Sequence, residues 1–416
     1  MRSFITARRL IDGKGGVMTG QPVVEIDGAR IVALHENAPE GAELRDFGDA
    51  TILPGLIDTH VHLNMPGNGM LLEEVMREGV EVMLATSVGS ALQALGAGIT
   101  TVRDVGCFGT TAFSVRRALA LGYATGARVM AAGAPITITG GHTWYMGGEC
   151  DGEEALRHKV RALIKDGAEF IKVMGSGGGT LNTASWRPAF TQDEMDAIVS
   201  ESHRNERRVT VHCLCAESID IAVRAGVDQI EHAGFIRRNA PQHYDAAVAE
   251  RLAKSGIPVT TTLAVGATAI NAMQQIEGRS PEQDAFLARW QRMLAENVEQ
   301  FTRLSEAGVT FVAGTDAGWR FTSFDSLVLE LQMMEQGGMA VSDCIAAATG
   351  RAAGVIGLED RGILAPGLLA DLIVVKGNPL EDLAALHDLD LILQGGVDHL
   401  PTPRAQRAAQ AMTVPG

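Results

Sequence analysis

Gly55-Leu-Ile-Asp-Thr-His-Val-His62 is an apolar run that closes on two histidines separated by one residue. Alternate side chains of a strand project to the same side, so His60 and His62 face one way at the strand's C-terminal end. The theme recurs along the chain. Ile99–Asp104, Arg128–Ala132, Phe170–Met174, Val209–His212, Gln229–His232, Val259–Thr262 and Val309–Gly314 read as further strands. Between most of them lie stretches with apolar residues at helical spacing. These are Glu73–Leu95, Glu153–Lys165, Glu194–Asn205 behind a Thr191-Gln-Asp-Glu194 capping box, Ala216–Arg224 and Ala246–Lys254. Helices around Ser326–Gln336 and Ser342–Ala348 follow the eighth strand. Strand–helix units in this succession predict an α/β fold, a closed parallel (β/α)8 TIM barrel over residues 54–361.

The two ends of the chain read differently. Pro22–Ile26, Arg30–Leu34 and Thr51–Leu53 are short strands, with Asp27-Gly28 as a hairpin turn. Leu372–Val375, the turn Gly377-Asn378-Pro379 and Leu391–Leu393 repeat that character near the C-terminus. Residues 1–53 and 362–416 are therefore expected to form one small composite β-sandwich domain beside the barrel.

Composition narrows the function. The 416 residues carry a formal net charge of -15, which repels phosphate backbones and argues against nucleic acid as a partner. No basic cluster marks an anionic membrane surface, and no apolar run is long enough to span a bilayer. The N-terminus lacks the apolar core of a signal peptide. Five scattered cysteines do not make a disulfide framework and fit a reducing cytoplasm. The expected partner is a small-molecule substrate, and the expected assembly a homo-oligomer.

Catalytic groups of a barrel gather where its strands end at the C-terminal face. His60 and His62 end the first strand, Lys172 lies near the end of the fourth, His212 ends the fifth, His232 ends the sixth, and Asp316 follows the eighth. Each alone could be a satisfied polar residue or, for Asp316, a helix cap; their coincidence at one face points to a metal centre. Imidazole and carboxylate ligands suit Zn²⁺, and Mn²⁺ or Fe²⁺ less selectively. Four histidines and an aspartate exceed the needs of one tetrahedral ion, and two ions need a bridging ligand. A lysine ammonium cannot serve, but a deprotonated Lys172 carboxylated by CO2 supplies two oxygens.

These segments together resemble the amidohydrolase superfamily. Pro54-Gly-Leu-Ile-Asp-Thr-His-Val-His-Leu63 is similar to its first-strand metal motif, and Phe170-Ile-Lys-Val-Met174 to its carboxylated-lysine strand. Val211-His212, Ile230-Glu-His-Ala233, Gly314-Thr-Asp-Ala317 and the tail Gly362-Ile-Leu-Ala-Pro-Gly-Leu-Leu-Ala-Asp-Leu372 match the rest. Gly140-Gly-His142 points to the imidazolonepropionase-like and prolidase-like branch. The resemblance implies a metal-dependent hydrolase of amide-type C–N bonds, acting on N-acyl amino acids, dipeptides, or xenobiotic amides and carbamates. It implies two divalent ions, zinc foremost, that turn a shared water into hydroxide. His60, His62, Lys172 and Asp316 would hold one ion, and Lys172, His212 and His232 the other. Asp316 would relay the proton and His142 would polarise the carbonyl.

Phe235 stands near the sixth strand, where a dipeptidase would lead one to look for tyrosine. Trp144, Tyr145 and Trp186 predict a roomy aromatic-lined pocket. His142, Tyr145, Trp186, Arg187 and Arg320 are the candidate substrate contacts, the arginines as partners of a carboxylate. Arg103 and Asp104 read as a structural ion pair. Gly175-Ser-Gly-Gly-Gly179 lacks the Lys-Ser/Thr ending of a phosphate loop and reads as a flexible loop beside the site. The competing functions are a deaminase, a lactone or ester hydrolase on the same scaffold, or a non-catalytic protein. A deaminase is opposed by Lys172 and by His212-Cys-Leu-Cys-Ala-Glu217, whose glutamate falls at the wrong spacing. A non-catalytic scaffold is opposed by the complete ligand set.

Overall fold

The structure is a computed structural model that describes residues 2–240 and 242–402. Eight strands occur where the apolar runs predict them: Leu56–Val61, Ile99–Asp104, Arg128–Ala131, Phe170–Met174, Arg208–His212, Gln229–Glu231, Val259–Thr260 and Phe311–Val312. The first three pair in parallel as one arc, and the last five as another. Parallel bridges join the arcs at both edges, Ile136 to Val173 and Val61 to Ala317. The backbone bonds Met174 N to Ile136 O at 2.8 Å and Asp316 N to His60 O at 2.8 Å reinforce those junctions. Hydrogen bonding therefore passes round all eight strands, the TIM-barrel arrangement. The first two strands are buried at every position, as expected of parallel strands covered on both faces.

The outer helices bury one stripe each. Glu153–Asp166 buries Leu156, Val160 and Leu163 and stops at Gly167, whose φ of 118° suits only glycine. Gln192–Arg204 opens with the predicted capping box of Thr191 and Glu194. Several helices differ from the sequence reading, Thr111–Ala120 and Gly350–Ile356 among those it did not single out. The stretch Glu73–Leu95 is two helices, Leu72–Val75 and Val80–Gly96, because Gly79 takes an extended conformation between them. Two helices that the periodicity did not single out, Ala264–Gln274 and Pro281–Glu306, also fill the interval between strands seven and eight.

Both ends of the chain build two further sheets. One has the order Arg30–His35, Val23–Asp27, Arg2–Thr6, Leu44–Asp46. The other runs Val397–His399, Leu389–Gln394, Leu372–Lys376, Ala50–Pro54, Arg9–Ile11, Val17–Thr19. Ile5, Val24, Ile26 and Ile31 of the first share one apolar cluster with Leu10, Ile52, Leu372, Val374 and Leu391 of the second. The hairpin turn falls on Gly28-Ala29, one residue later than expected, because Asp27 pairs with Arg30. Residues 403–416 of the expected terminal unit lie outside the described residues.

Ala50–Pro54 leads through Gly55 directly into the first barrel strand. A Cβ on Gly55 would stand 2.3 Å from Thr100, so only glycine allows this passage. The terminal sheet thereby anchors the strand that carries His60 and His62. Among the described residues no helix is long and apolar enough to cross a membrane.

Helix Leu327–Gln336 is tied to the seventh strand's loop by Glu330, which accepts from Ala264 N at 2.6 Å and Thr261 Oγ1 at 2.8 Å. Burial raises its carboxyl from the ordinary 4.5 to about 7. The folded state therefore keeps a proton that the unfolded chain has lost. Glu330 contributes its stability below about pH 4.5, and that contribution disappears as pH rises to about 7. Urea unfolding at pH 5 and pH 8 should show a Glu330→Gln variant losing less stability across this interval than the wild type, by on the order of 3 kcal/mol. Equal pH slopes for the two proteins would refute the assignment.

Candidate active site

His60 lies at the barrel centre with its Nδ1 2.8 Å from Glu231 Oε2. Glu231 also accepts from Arg103 Nη2 at 2.6 Å and from the Thr210 hydroxyl. Burial would raise the Glu231 pKa, but the charges of His60, Arg103 and Lys172 outweigh it and hold the carboxyl well below its usual range. Arg103 does not pair with Asp104 as the sequence suggested. Adjacent strand residues point to opposite sides. Arg103 crosses the lumen to Glu231, Gln229 and Thr59 O, while Asp104 accepts from the backbone of Leu63 and Gly106.

The remaining histidines are also held from behind, which fixes the nitrogen that each presents to the cavity. His62 Nδ1 lies 2.9 Å from Gly106 O and can only donate to it, which turns Nε2 toward Asp316. Thr262 donates its hydroxyl proton to Thr261 O, so it accepts from His232 Nδ1 at 2.8 Å and leaves Nε2 of that ring bare. His212 is reversed: its Nε2 donates to Gly177 O at 3.1 Å, leaving Nδ1 bare. Burial drives the pKa of His232 down to about 3 and that of His212 well below its ordinary value. Both are therefore neutral, the form that ligates metals.

Asp316 Oδ1 stands 3.2 Å from His62 Nε2 and 3.5 Å from His60 Nε2. Burial opposes its ionisation, yet hydrogen bonding and charge from His60 and His62 keep it well below the usual carboxylate range. For His62 burial lowers the pKa, but Asp316 more than offsets this and the net shift is upward. Ligand-capable atoms of His60, His232 and Asp316 all lie within 4.8 Å of one another. Ring centroids step from His62 to His60 (5.5 Å), His232 (5.0 Å), His212 (4.7 Å) and His142 (4.7 Å), a continuous arc. Lys172 lines the same floor, 1% exposed, its pKa lowered to about 8 by burial against the pull of Glu231 and Asp316. His232, Thr262, Asp316 and Arg320 all have positive φ, between 50° and 70°. Left-handed non-glycine backbone costs roughly 1–3 kcal/mol per residue and collects at functional sites.

A cavity of ≈ 330 Å³ opens above these groups. His142, Tyr145 and Arg320 line it as the sequence predicts, but Trp186 and Arg187 do not. The glycine-rich loop folds back on itself through a Ser176–Pro188 bridge, which leaves Trp186 and Arg187 exposed on its outer side. Trp186 packs there against Arg238. Sequence reading missed Phe286, Arg289, Trp290 and Met293, which share one face of helix Pro281–Glu306 and line the cavity. A Ser280-Pro-Glu-Gln283 capping box with proline at the first turn was the available signal. The loop glycines serve close approach: a Cβ on Gly178 would lie 2.4 Å from His142 Nε2. Gly178→Ala should displace that ring and lower kcat/KM by roughly 10- to 100-fold with an unchanged melting temperature. Wild-type kinetics in this variant would remove His142 from the chemistry.

The amidohydrolase family pattern matches residues 51–396, a span that contains every barrel strand. The chain belongs to the amidohydrolase family. Ochratoxinase of Aspergillus niger is 29% identical over 373 residues, covering 81% of this chain and 72% of that protein. Imidazolonepropionase of Deinococcus deserti is 23% identical over 378 residues, covering 84% and 83%. A crystal structure of a Xaa-Pro dipeptidase with bound methionine in the active site superposes with a TM-score of 0.82 at 30% identity, covering 96% of this chain and all of the other. This amidohydrolase is an enzyme, a hydrolase of amide-type C–N bonds, and its fold is the TIM barrel of its relatives.

Proposed function

We propose that this amidohydrolase removes an amino acid from an N-acyl amino acid or dipeptide at a centre of two divalent ions. The observation that carries this reading is the bare-nitrogen pattern. His232 Nε2, His212 Nδ1 and the Asp316 carboxylate are left as acceptors while the opposite ring nitrogens are engaged, and His62, its Nδ1 engaged as well, turns Nε2 to Asp316 at 3.2 Å. Acceptors without protons, clustered in a buried cavity, suit cations. His60, His62, Lys172 and Asp316 would hold one ion, and Lys172, His212 and His232 the second, with zinc favoured by the nitrogen-rich set. Lys172 would bridge as the carbamate. The ions, when bound, supply Lewis acidity to the scissile carbonyl and make water a nucleophile at neutral pH.

The chain's own groups do the rest. Asp316 takes a proton from the attacking water and delivers it to the amine as the C–N bond breaks. Thr180 accepts from Thr143 N at 3.1 Å, so its own hydroxyl proton is free for His142 Nδ1 at 2.8 Å. That turns His142 Nε2–H toward the cavity as a donor to the carbonyl oxygen. Burial holds the His142 pKa down at about 3, so the ring donates while neutral. Arg320, at the cavity wall, pairs with the substrate carboxylate. The bound methionine of the dipeptidase relative supports an amino acid as the released half.

The terminal sheets, within residues 2–53 and 362–402, form a composite β-sandwich domain beside a barrel of residues 54–361 in this reading. All five cysteines are free, which favours a cytoplasmic setting.

Zinc-reconstituted protein should hydrolyse N-acetyl amino acids or dipeptides and lose that activity on chelation. Activity that survives exhaustive chelation, or a panel in which only lactones, esters or amino-heterocycles react, would overturn the proposal.

A further inference from the structure

A second cavity of ≈ 920 Å³ adjoins the catalytic one. Met65, Tyr145, Gly179, Phe286, Trp319 and Arg320 line both, so the two spaces share a wall that is half aromatic rings with one guanidinium in it. Beyond that wall the lining turns apolar and adaptable: Met70, Leu72, Val75, Met76, Met273 and Leu181. Methionine fills irregular space and accepts varied shapes. Leu181 is 75% exposed and Met76 37% exposed, an apolar rim that a monomer's surface does not otherwise need.

Charge divides the two spaces. The acids of a chain with net charge -15 are nearly absent from the catalytic cavity, whose only acidic lining residue among the described residues is Asp316, against Lys172, Arg289 and Arg320. The outer chamber has the opposite bias, with Glu73 and Glu282 beside Arg320. An anion is thus drawn to the inner side of the wall and discouraged beyond it. Arg320 is fixed at the boundary by backbone as well as side chain. Its φ is 50°, its carbonyl accepts from Gly69 N at 2.7 Å, and its guanidinium lies 5.5 Å from the Trp319 ring centroid.

In an amino acid, carboxylate and side chain leave the same carbon. A carboxylate seated on a residue that borders both spaces puts the side chain one bond from the outer one. We propose that the methionine-lined chamber is a specificity subsite for a large uncharged side chain of the amino acid released, with Arg289 joining Arg320 in holding its carboxylate. The inference rests on the proposed hydrolysis of N-acyl amino acids and names which of them the site selects.

The test is a series of N-acetyl-L-alanine, -leucine, -phenylalanine, -tryptophan and -glutamate, with N-acetyl-L-phenylalanine amide as the neutral control. In the wild type kcat/KM should rise at least about tenfold from alanine to the best apolar residue, given what a few buried methylenes contribute in a specificity pocket. Glutamate and the amide should fall below alanine. Met70→Gln with Met273→Gln keeps volume but not polarity, touches only the outer chamber, and should flatten the apolar series to within about twofold. N-acetyl-L-alanine should turn over in that variant at the wild-type rate, which also shows that it folds. Arg289→Gln should raise KM for all the carboxylates and leave the amide unaffected. A flat wild-type series, or an apolar preference that persists in the double variant, would overturn the subsite. If no member of the series reacts, the hydrolysis reading fails instead.

Discussion

Asp316→Asn should lower kcat by roughly 10³-fold or more while bound metal, measured by plasma mass spectrometry, stays close to the wild-type content. Asparagine keeps an oxygen at the position of Asp316 Oδ1, which lies among the nitrogens of His60, His62 and His232, so a donor toward a cation survives. Proton affinity does not survive. The carboxylate sits 3.2 Å from His62 Nε2 and is kept ionised by His60 and His62 despite its burial. Among the described residues it is the only acidic side chain lining the cavity, so no second carboxylate there can replace it as the base. The same change removes the counter-charge that raises the His62 pKa. That leaves His62 more readily neutral, which favours metal retention and separates binding from turnover. Full activity in the variant would exclude Asp316 as the proton relay. Proportional loss of metal and activity would reduce it to a ligand.

The barrel was legible because parallel strands are covered on both faces. Each becomes an unbroken apolar run, and a histidine, lysine or aspartate at its end stands out by contrast. Leu56–Val61 and Phe170–Met174 are buried at every position, with His60 and Lys172 among the buried residues. The ligand candidates could be found on that ground alone. The support behind them could not. Glu231 faces His60 and Arg103 across the lumen, from positions 171 and 128 residues away, and no local pattern encodes a contact that the closed ring creates. Thr262 behind His232 and Thr180 behind His142 are short polar residues whose roles depend on loop geometry alone. Trp186 and Arg187 failed for the complementary reason. Residue type suggests what a side chain can bind, but the fold-back at Ser176–Pro188 decides which side of the loop it occupies. Helix Pro281–Glu306 hid because few of its residues are fully buried. Its apolar face borders a cavity rather than a packed core, so Phe286 and Trp290 look like surface residues in sequence and become a wall only in the folded molecule.

Lys172→Ala should abolish the second metal equivalent and reduce turnover by on the order of 10³-fold or more, because it removes the one proposed ligand common to both ions. The physical basis is the local pKa. Burial pulls Lys172 down to about 8, against Glu231 and Asp316, which favour the ammonium. At pH 7 about a tenth of the side chain is then the free amine, far more than for an ordinary lysine. In the proposed carboxylation that amine would add through Nζ to the carbon of CO2 and release a proton, giving an anionic N-carboxylate in place of a cation. The reversal of sign matters in this cavity. The ammonium would repel metals, whereas the carbamate would attract them, since Arg103 behind it is already compensated by Glu231. Protein stripped of metal and reconstituted with zinc in CO2-depleted buffer should recover slowly, and added bicarbonate should speed recovery severalfold. Lys172→Glu carries its own carboxylate on a shorter stem, so it should recover partial activity over Lys172→Ala and show no response to bicarbonate. Glutamate supplies the charge without the chemistry, and its indifference to CO2 is what distinguishes a bridging carbamate from a lysine that merely fills space. Two ions and wild-type turnover in Lys172→Ala would eliminate the bridge, and bicarbonate-independent recovery of the wild type would eliminate the carbamate.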